Sequence, residues 1–413
     1  MLSTSFRSRF AGMIGNILEH YDNALFGLLA PFIAPLFFEN KDPLTALILT
    51  YAILPLGILM RPLGSLFFGW IGDRFGRRQS LFCSLICMAV VTVGIGSLPT
   101  YHSIGYWAPL LLALGKMVQS FSAAGESSGG AIFVLENTSL NKRNLLSGIY
   151  DASSICGILI ASALVTLFSS KGYIENGWRI LFWLGGATAV FGVFLRLKAQ
   201  EGSEYLKAST NAKINIWQAI MQNKRPLLAI IFVSGFSYTT YSLAFTLMNG
   251  YVPMVTSLTK TEVMRVNTLL LLADMVLLPT FGYLAGKIGK ERLMFAAALG
   301  SAICAIPLFY FFHDARLQTV IVIRLVIMTF GVAFAATYHA WTIEQVLPQY
   351  RFTILSLGYA IGSQLIGAPT SAACLWLYQK LHWTSAPALY LIATAALAAY
   401  AIRRNFKKMV AYS

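Results

Sequence analysis

Long apolar runs recur along the whole chain, and polar residues collect in the short stretches between them. Each run reaches or exceeds the roughly 18–20 residues that an α-helix needs to cross the hydrocarbon core of a bilayer. The pattern predicts twelve spanning helices, at about residues 10–38, 44–71, 79–98, 106–134, 146–169, 177–198, 226–257, 262–286, 292–312, 317–346, 352–378 and 383–402. The chain is therefore predicted to be an all-α membrane protein.

The composition supports this prediction and excludes a single large soluble core. Of the 413 residues, 57% are hydrophobic and only 11% are charged, whereas soluble domains carry about 25% charged residues. The mean hydropathy is +0.66. The protein should therefore be solvated by lipid along most of its length.

The positive charge is distributed unevenly between alternate loops. The formal net charge is +15. If the N-terminus is cytoplasmic, 21 Lys and Arg residues lie on the cytoplasmic side and seven on the other. This bias follows the positive-inside rule and predicts a multi-pass membrane protein with both termini in the cytoplasm. It also explains the net charge without a nucleic-acid partner.

A polar stretch at residues 199–225 divides the chain into two halves, 1–198 and 226–413, with six predicted spans each. A related loop follows the second span of each half: GWIGDRFGRR at 69–78 and GYLAGKIGKER at 282–292. Their glycines share one register, although Gly286 replaces Asp73. The halves are predicted to be pseudo-symmetric six-helix bundles.

The first span carries two acids at its centre, in the stretch GNILEHYDNALFG. Glu19 and Asp22 are three residues apart and so lie on one helix face. Carboxylates that share a face in a low dielectric raise each other's proton affinity. We interpret them as the proton-coupling pair, without choosing between them. The alternative is a structural ion pair with Lys116 or Arg61.

Several other polar or aromatic residues are candidates for substrate contact. Lys116 and Gln119 share a face of the fourth span, where a cation suits a substrate carboxylate, and Arg324 in the tenth span is a second such cation. Aromatic faces can hold an ammonium group, although Tyr and Trp are also ordinary membrane-interface residues. The aromatic candidates are Tyr21, Tyr238, Tyr241 and Trp341.

Three charged residues are interpreted as gating or structural groups. Arg61 precedes a proline in the second span, and Asp151 lies at the beginning of the fifth. Glu126 lies among small residues, in SAAGESSGG, that allow helices to approach closely.

Six stretches resemble, in order, landmarks of the major facilitator superfamily and of its metabolite:proton symporter branch. They are GNILEHYDNALFG, MRPLGSLFFGWIGDRFGRR, QSFSAAGESSGG, WRILF, RLKAQEGSEYL and EQVLPQYRFTILSLGY. This branch includes proline/betaine, dicarboxylate, citrate and shikimate carriers. The sequence departs from the branch pattern at His20, Asn23, Lys116 and Asp151.

The resemblance implies that GWIGDRFGRR is the loop that latches the cytoplasmic side of the transporter during its cycle. The expected latch residues are Gly69, Asp73, Arg74, Gly76 and Arg77, together with Glu344 and Arg351 after the tenth span. From the residues themselves, Asp73 can cap a helix N-terminus or pair with Arg77.

The resemblance and the buried charges together predict a proton-coupled symporter. It would import a small carboxylate-bearing metabolite, such as proline, betaine or a di- or tricarboxylate, by alternating access. No enzymatic activity, metal or cofactor is expected other than the coupling proton, and we expect a monomer in the lipid bilayer. Two alternatives stay open: a proton-driven exporter of a drug or siderophore, and a nutrient sensor that does not transport.

Overall fold

A computed structural model of the chain describes residues 4–38, 49–50, 53, 57–127, 129–170, 174–197 and 216–412. Within these ranges the regular structure is entirely helical. Twelve principal helices in these ranges match the twelve predicted spans, although part of the second span lies outside the described residues. Seven helices of the described part are long and apolar enough to cross a membrane by length and composition alone.

The helices are numbered in chain order. They are α1 (Thr4–Phe37), α2 (Gly57–Arg74), α3 (Arg77–Ser97), α4 (Trp107–Ser127 with Gly129–Glu136), α5 (Arg143–Ser170), α6 (Ile174–Leu197), α7 (Lys224–Tyr241, Ser242–Leu247 and Met248–Val255), α8 (Lys260–Ile288), α9 (Lys290–Tyr310), α10 (Leu317–Ile343), α11 (Arg351–Ile361, Gly362–Gly367 and Thr370–Leu381) and α12 (Pro387–Tyr412). The middle segments of α7 and α11 are π-helical turns.

The chain folds into two compact units. Unit one contains Met1–Thr138, Ser153–Ala219 and Leu347–Leu357, and unit two contains Ser139–Ala152, Ile220–Val346 and Gly358–Ser413. The start of α5 therefore belongs to unit two, and the start of α11 belongs to unit one. The predicted halves, 1–198 and 226–413, place each of them in the other group. That predicted division stays a prediction, and residues 199–215 of the predicted linker lie outside the described residues.

The core of unit one shows why α1 forms one of its central helices. Its buried residues Tyr21, Leu25, Leu29, Ile33 and Phe37 recur every four positions and form a single apolar stripe. This stripe packs against α6, where the Trp178 ring lies 5.9 Å from the Phe37 ring. The stripe holds the polar middle of α1 inside the unit rather than against lipid.

The predicted repeat is visible in the backbone of the two matching loops. Gly76 between α2 and α3 has φ of 114°, and Gly289 between α8 and α9 has φ of 93°. Residues with side chains rarely adopt such angles. The shared glycine register therefore gives the same tight connection in both units.

Candidate functional site: buried charge networks

Glu19 and Asp22 are both buried on α1, with about 1% of each residue exposed. Their side chains nevertheless enter two different hydrogen-bond networks of unit one. The predicted carboxylate pair is therefore two separately stabilised acids.

Asp22 is connected to Lys116 through two intervening side chains. Thr92 donates its hydroxyl to Asp22 Oδ2 at 2.7 Å, and Gln119 Nε2 donates to Thr92 Oγ1 at 2.9 Å. Lys116 Nζ in turn donates to Gln119 Oε1 and lies 4.6 Å from the centre of the Phe26 ring. In the part of the chain that is described, Asp22 Oδ1 accepts no hydrogen bond.

Glu19 lies in a denser set of donors. Its Oε1 accepts hydrogen bonds from Ser127 at 2.6 Å and from Asn23 at 3.1 Å, and Arg61 Nη2 lies 3.3 Å away. Arg61, predicted above as a gating residue, thus forms the ion pair that the sequence left as an alternative for Glu19. Of the two acids, Asp22 is the one without a cation within salt-bridge distance among the described residues.

The other predicted substrate residues have protein partners or packed surroundings. Tyr21 donates its hydroxyl to the carbonyl of Leu181 on α6 at 2.9 Å. In unit two, the Tyr241 ring lies 4.9 Å from the Phe245 ring, and Tyr238 packs against Gly367. Trp341 is fully buried.

Arg324 is also fully buried, and both of its terminal nitrogens donate to oxygens of the protein. It donates to the carbonyls of Val263 at 3.2 Å and Ala244 at 3.0 Å, and to the side chain of Asn267. Ala244 lies in the π-helical turn of α7. Because these acceptors already hold the guanidinium, the contacts favour a structural role over the predicted binding of a carboxylate.

The predicted latch residue Asp73 caps the start of α11 within unit one. Its two carboxylate oxygens accept the backbone N–H groups of Phe352 at 3.0 Å and Thr353 at 2.8 Å. Buried Arg77 pairs with the same carboxylate and donates to the carbonyl of Pro348. The anion thus lies where the partial positive charge of a helix N-terminus is greatest.

A second acid completes this cluster. Glu136 at the end of α4 accepts hydrogen bonds from Arg77 Nε at 3.3 Å and Arg351 Nη1 at 2.9 Å. Two arginines therefore face two acids in a buried set of alternating charges. Arg74, the other arginine of the predicted latch, is exposed and lies over Trp70 and Phe75 instead.

The remaining predicted gating residues lie in different places. Glu126 is buried in unit one. In unit two, Glu344 pairs with Lys290 of the second repeat loop at 2.7 Å. Asp151 lies in the third turn of α5. Its Oδ1 forms a hydrogen bond with His339 Nε2 at 3.1 Å.

The sequence analysis did not predict four features of these networks: Thr92, Ser127, Glu136 and the pairing of His339 with Asp151. Hydroxyl residues are common in membrane helices, so nothing distinguishes Thr92 or Ser127 along the chain. Glu136 did carry a signal, because an acid directly after the apolar run GGAIFVL requires a partner. His339 was visible as a polar aromatic residue, but its partner lies 188 positions away.

The close contact between α2 and α11 gives a testable prediction. A Cβ on Gly69 would lie 2.7 Å from the Cα of Thr353, which is backbone and cannot rotate away. We expect Gly69→Ala to displace the start of α11 and to reduce uptake at least about fivefold, because overpacking costs about 1–3 kcal/mol. The measurement is uptake per folded molecule. Gly94→Ala is the control, because a Cβ there would lie within 4 Å of no atom of the described residues; equal uptake by both variants would contradict the prediction.

Comparison with known proteins gives a consistent picture. Residues 10–213 match the family described as "Sugar (and other) transporter". The chain is 27% identical over 404 residues to the "Proline/betaine transporter" of Salmonella typhimurium strain LT2, covering 94% of this chain and 80% of that one. It is 32% identical over 401 residues to the "Putative proline/betaine transporter" of Staphylococcus aureus strain COL, covering 93% and 84%.

Solved structures agree on the fold. The proton:xylose symporter XylE bound to 6-bromo-6-deoxy-D-glucose gives a TM-score of 0.76 at 16% identity, covering 96% of this chain and 95% of that one. A variant of the Escherichia coli fucose:proton symporter FucP gives 0.74 at 11% identity, covering 97% and 99%. The all-helical, twelve-span architecture and the resemblance of the sequence motifs are thereby confirmed. The chain has the fold of the major facilitator superfamily and belongs to the family of these proline/betaine transporter relatives.

Proposed function

We propose that this chain is a proton-coupled symporter that imports a small polar metabolite bearing a carboxylate. Its relatives are named as proline/betaine transporters, which makes proline and betaine the first candidates, ahead of di- and tricarboxylates. Transport proceeds by alternating access across a bacterial inner membrane, with both termini cytoplasmic and the chain monomeric. It is a transport protein and not an enzyme, and the proton is its only coupling ion.

The observation that carries this proposal is the hydrogen-bonded path from Asp22 to Lys116. At one end is the buried carboxylate of Asp22, whose Oδ1 has no donor among the described residues. At the other end is the buried ammonium of Lys116, which donates to Gln119. An ammonium has three donors, so Lys116 keeps others for a ligand. The first group can take a proton and the second can take a carboxylate.

Charge neutrality explains how these two events become coupled. The empty path is neutral, because Asp22 is negative and Lys116 is positive. Within the path, the loaded state is neutral again, because a proton neutralises Asp22 while one substrate carboxylate neutralises Lys116. The ammonium group of proline or betaine, or a further carboxylate of a di- or tricarboxylate, is a separate charge outside this balance. Binding only one of the two leaves a net buried charge, which costs about 2.5–3.5 kcal/mol. A half-loaded carrier therefore changes conformation about 70- to 400-fold less readily.

The driving force is adequate for accumulation. One proton supplies about 1.4 kcal/mol per pH unit and about 2.3 kcal/mol per 100 mV of membrane potential. Either term alone corresponds to a concentration ratio of about ten or more. The Glu19–Arg61 pair is neutral by itself and does not disturb this balance.

The direct test is uptake into proteoliposomes under an inward proton gradient. Radiolabelled proline, betaine, 2-oxoglutarate, citrate and shikimate would be compared. We expect accumulation of one of them above its external concentration, abolished by a protonophore. Outward movement of a drug would favour the exporter instead, and substrate binding without any flux would favour the sensor.

Lys116 provides the specific prediction for carboxylate recognition. Replacing it with Gln removes the ammonium but keeps a polar side chain of similar length. We expect the KM for uptake to rise about 10- to 100-fold, because a hydrogen bond to a charged group contributes about 1.5–3 kcal/mol. The preference for proline over prolinamide should disappear as well. Lys287→Gln is the control, since Lys287 lies over the exposed Tyr283 ring; an unchanged KM in Lys116→Gln would contradict the assignment.

A further inference from the structure

The starts of α5 and α11 are packed in matching ways against the two repeat loops. A Cβ on Gly69 would lie 2.7 Å from Thr353 of α11, and a Cβ on Gly282 would lie 2.6 Å from the carbonyl oxygen of Asn144 at the start of α5. Each glycine is the first residue of its loop. The same backbone approach therefore occurs once in each unit.

The polar groups that hold these two helix starts are different. In unit one, Asp73 caps the start of α11 and is held by Arg77. Gly286 occupies the position of Asp73 in the second loop and has no side chain to cap α5. In unit two, α10 supplies a polar contact to this part of α5, where His339 Nε2 lies 3.1 Å from Asp151 Oδ1.

The contact between Asp151 and His339 is largely enclosed, with 16% and 8% of their side chains exposed. The Tyr150 ring stands edge-on to the imidazole at 5.4 Å, and the Tyr338 ring lies 3.9 Å from it. An imidazole changes its charge between pH 5 and 8, whereas the guanidinium of Arg77 stays charged. Of the two contacts, the one in unit two contains an imidazole and the one in unit one a guanidinium.

Other titratable groups surround the pair from the neighbouring helices. Asp274 of α8 is buried and interacts electrostatically with Asp151. Tyr241 of α7 interacts with Asp274, and Tyr359 of α11 stacks on Tyr338. Two acids, one imidazole and several phenols thus meet where α5 packs against α8 and α10.

We propose that Asp151 and His339 form a second proton-binding site that regulates transport and does not contribute a transported proton. With the proton bound, a charge-assisted hydrogen bond fastens residues 139–152 to α10. Without it, the ion-pair attraction is lost, and a weaker hydrogen bond from the neutral imidazole to the ionised carboxylate remains. Since residues 153–170 of the same helix belong to unit one, conformational exchange must loosen this fastening. Loss of the proton therefore speeds exchange.

The test uses counterflow of radiolabelled proline, and it rests on the proposed function because its readout is transport. The pH is equal on both sides and is varied from about 5.5 to about 8.5, which brackets the titration of an imidazole. The Asp22→Asn background removes the coupled proton. In that background we expect counterflow to rise about fivefold with pH, and to be flat within about 1.5-fold after adding His339→Gln.

His313→Gln is the matched control, because His313 forms an exposed pair with Asp314 at 3.0 Å. It should keep the fivefold rise. Asp151→Asn, which removes the other partner, should flatten the profile as His339→Gln does. A rise that survives in both Asp151→Asn and His339→Gln overturns the regulatory site, and so does a flat profile in the Asp22→Asn parent. Absence of counterflow by the wild type at every pH would instead contradict the proposed transport function.

Discussion

Replacing Asp22 with Asn is expected to abolish accumulation driven by a proton gradient while counterflow exchange survives. Asn retains the shape of the side chain and an oxygen that can accept the hydrogen bond from Thr92. It carries no charge and cannot release a proton. Since the neutral amide mimics the protonated carboxylate, the variant is permanently in the proton-loaded state. The ratio of internal to external solute should fall from about ten or more to one.

Glu19→Gln is the comparison that makes this result specific. It removes the carboxylate that pairs with the partly buried Arg61, and the cost of breaking a fully buried ion pair, about 3–5 kcal/mol, is the upper bound of its effect. We expect it to lower uptake and counterflow together. In the opposite pattern, Glu19→Gln would lose only gradient-driven uptake, and Asp22→Asn would lose both uptake and counterflow. That result would assign the coupling role to Glu19.

The second large effect is expected from Asp73→Asn at the start of α11. The amide nitrogen of Asn is a donor facing backbone N–H donors, and the buried Arg77 loses one of its two acidic partners. Arg77 keeps Glu136, so its loss is smaller than the cost of a fully unpaired buried charge, about 3–5 kcal/mol, and a backbone N–H group left without its acceptor adds about 1–3 kcal/mol. We expect a clear fall in the thermal unfolding midpoint of the purified protein and the loss of most uptake.

Arg74→Gln is the matched control for Asp73→Asn. Arg74 lies next to Asp73 in the chain, but it is exposed and contacts only the neighbouring rings of Trp70 and Phe75 among the contacts described. Its replacement should change stability by no more than about 0.5 kcal/mol. If both variants melted at the wild-type temperature, the cap on α11 would not be a stabilising contact.

The fold was predictable because membrane insertion depends on the length of apolar runs, and that length is written directly in the sequence. The repeat loops were predictable for a similar reason, since Gly76 and Gly289 mark positions where the backbone needs a positive φ. The cap and the pairing with Arg77 were the two roles predicted for Asp73, which lies in the same short loop as Arg77. These features, except the cap on α11, depend on neighbours in the chain.

The partners of the buried charges were less accessible, because helices that are distant in sequence supply them. Thr92 lies 70 positions from Asp22, and Glu136 lies 59 positions from Arg77. Arg324 shows the limit most clearly. Its carbonyl acceptor at Ala244 lies in a π-helical turn of α7. The residue pattern of that segment does not predict this turn. The sequence alone does not distinguish a buried arginine that binds substrate from one that donates to backbone carbonyls.

The central claim is that one proton crosses with each carboxylate-bearing solute, and solute-driven proton movement tests it most directly. Proteoliposomes with a pH-sensitive dye in the lumen would start without a pH gradient and with the membrane potential clamped at zero. Proline, or whichever solute the uptake screen identifies, is then added outside. The account predicts that the lumen acidifies with wild-type protein and stays unchanged with Asp22→Asn. Entry of the labelled solute through the wild type with no change in luminal pH would contradict it.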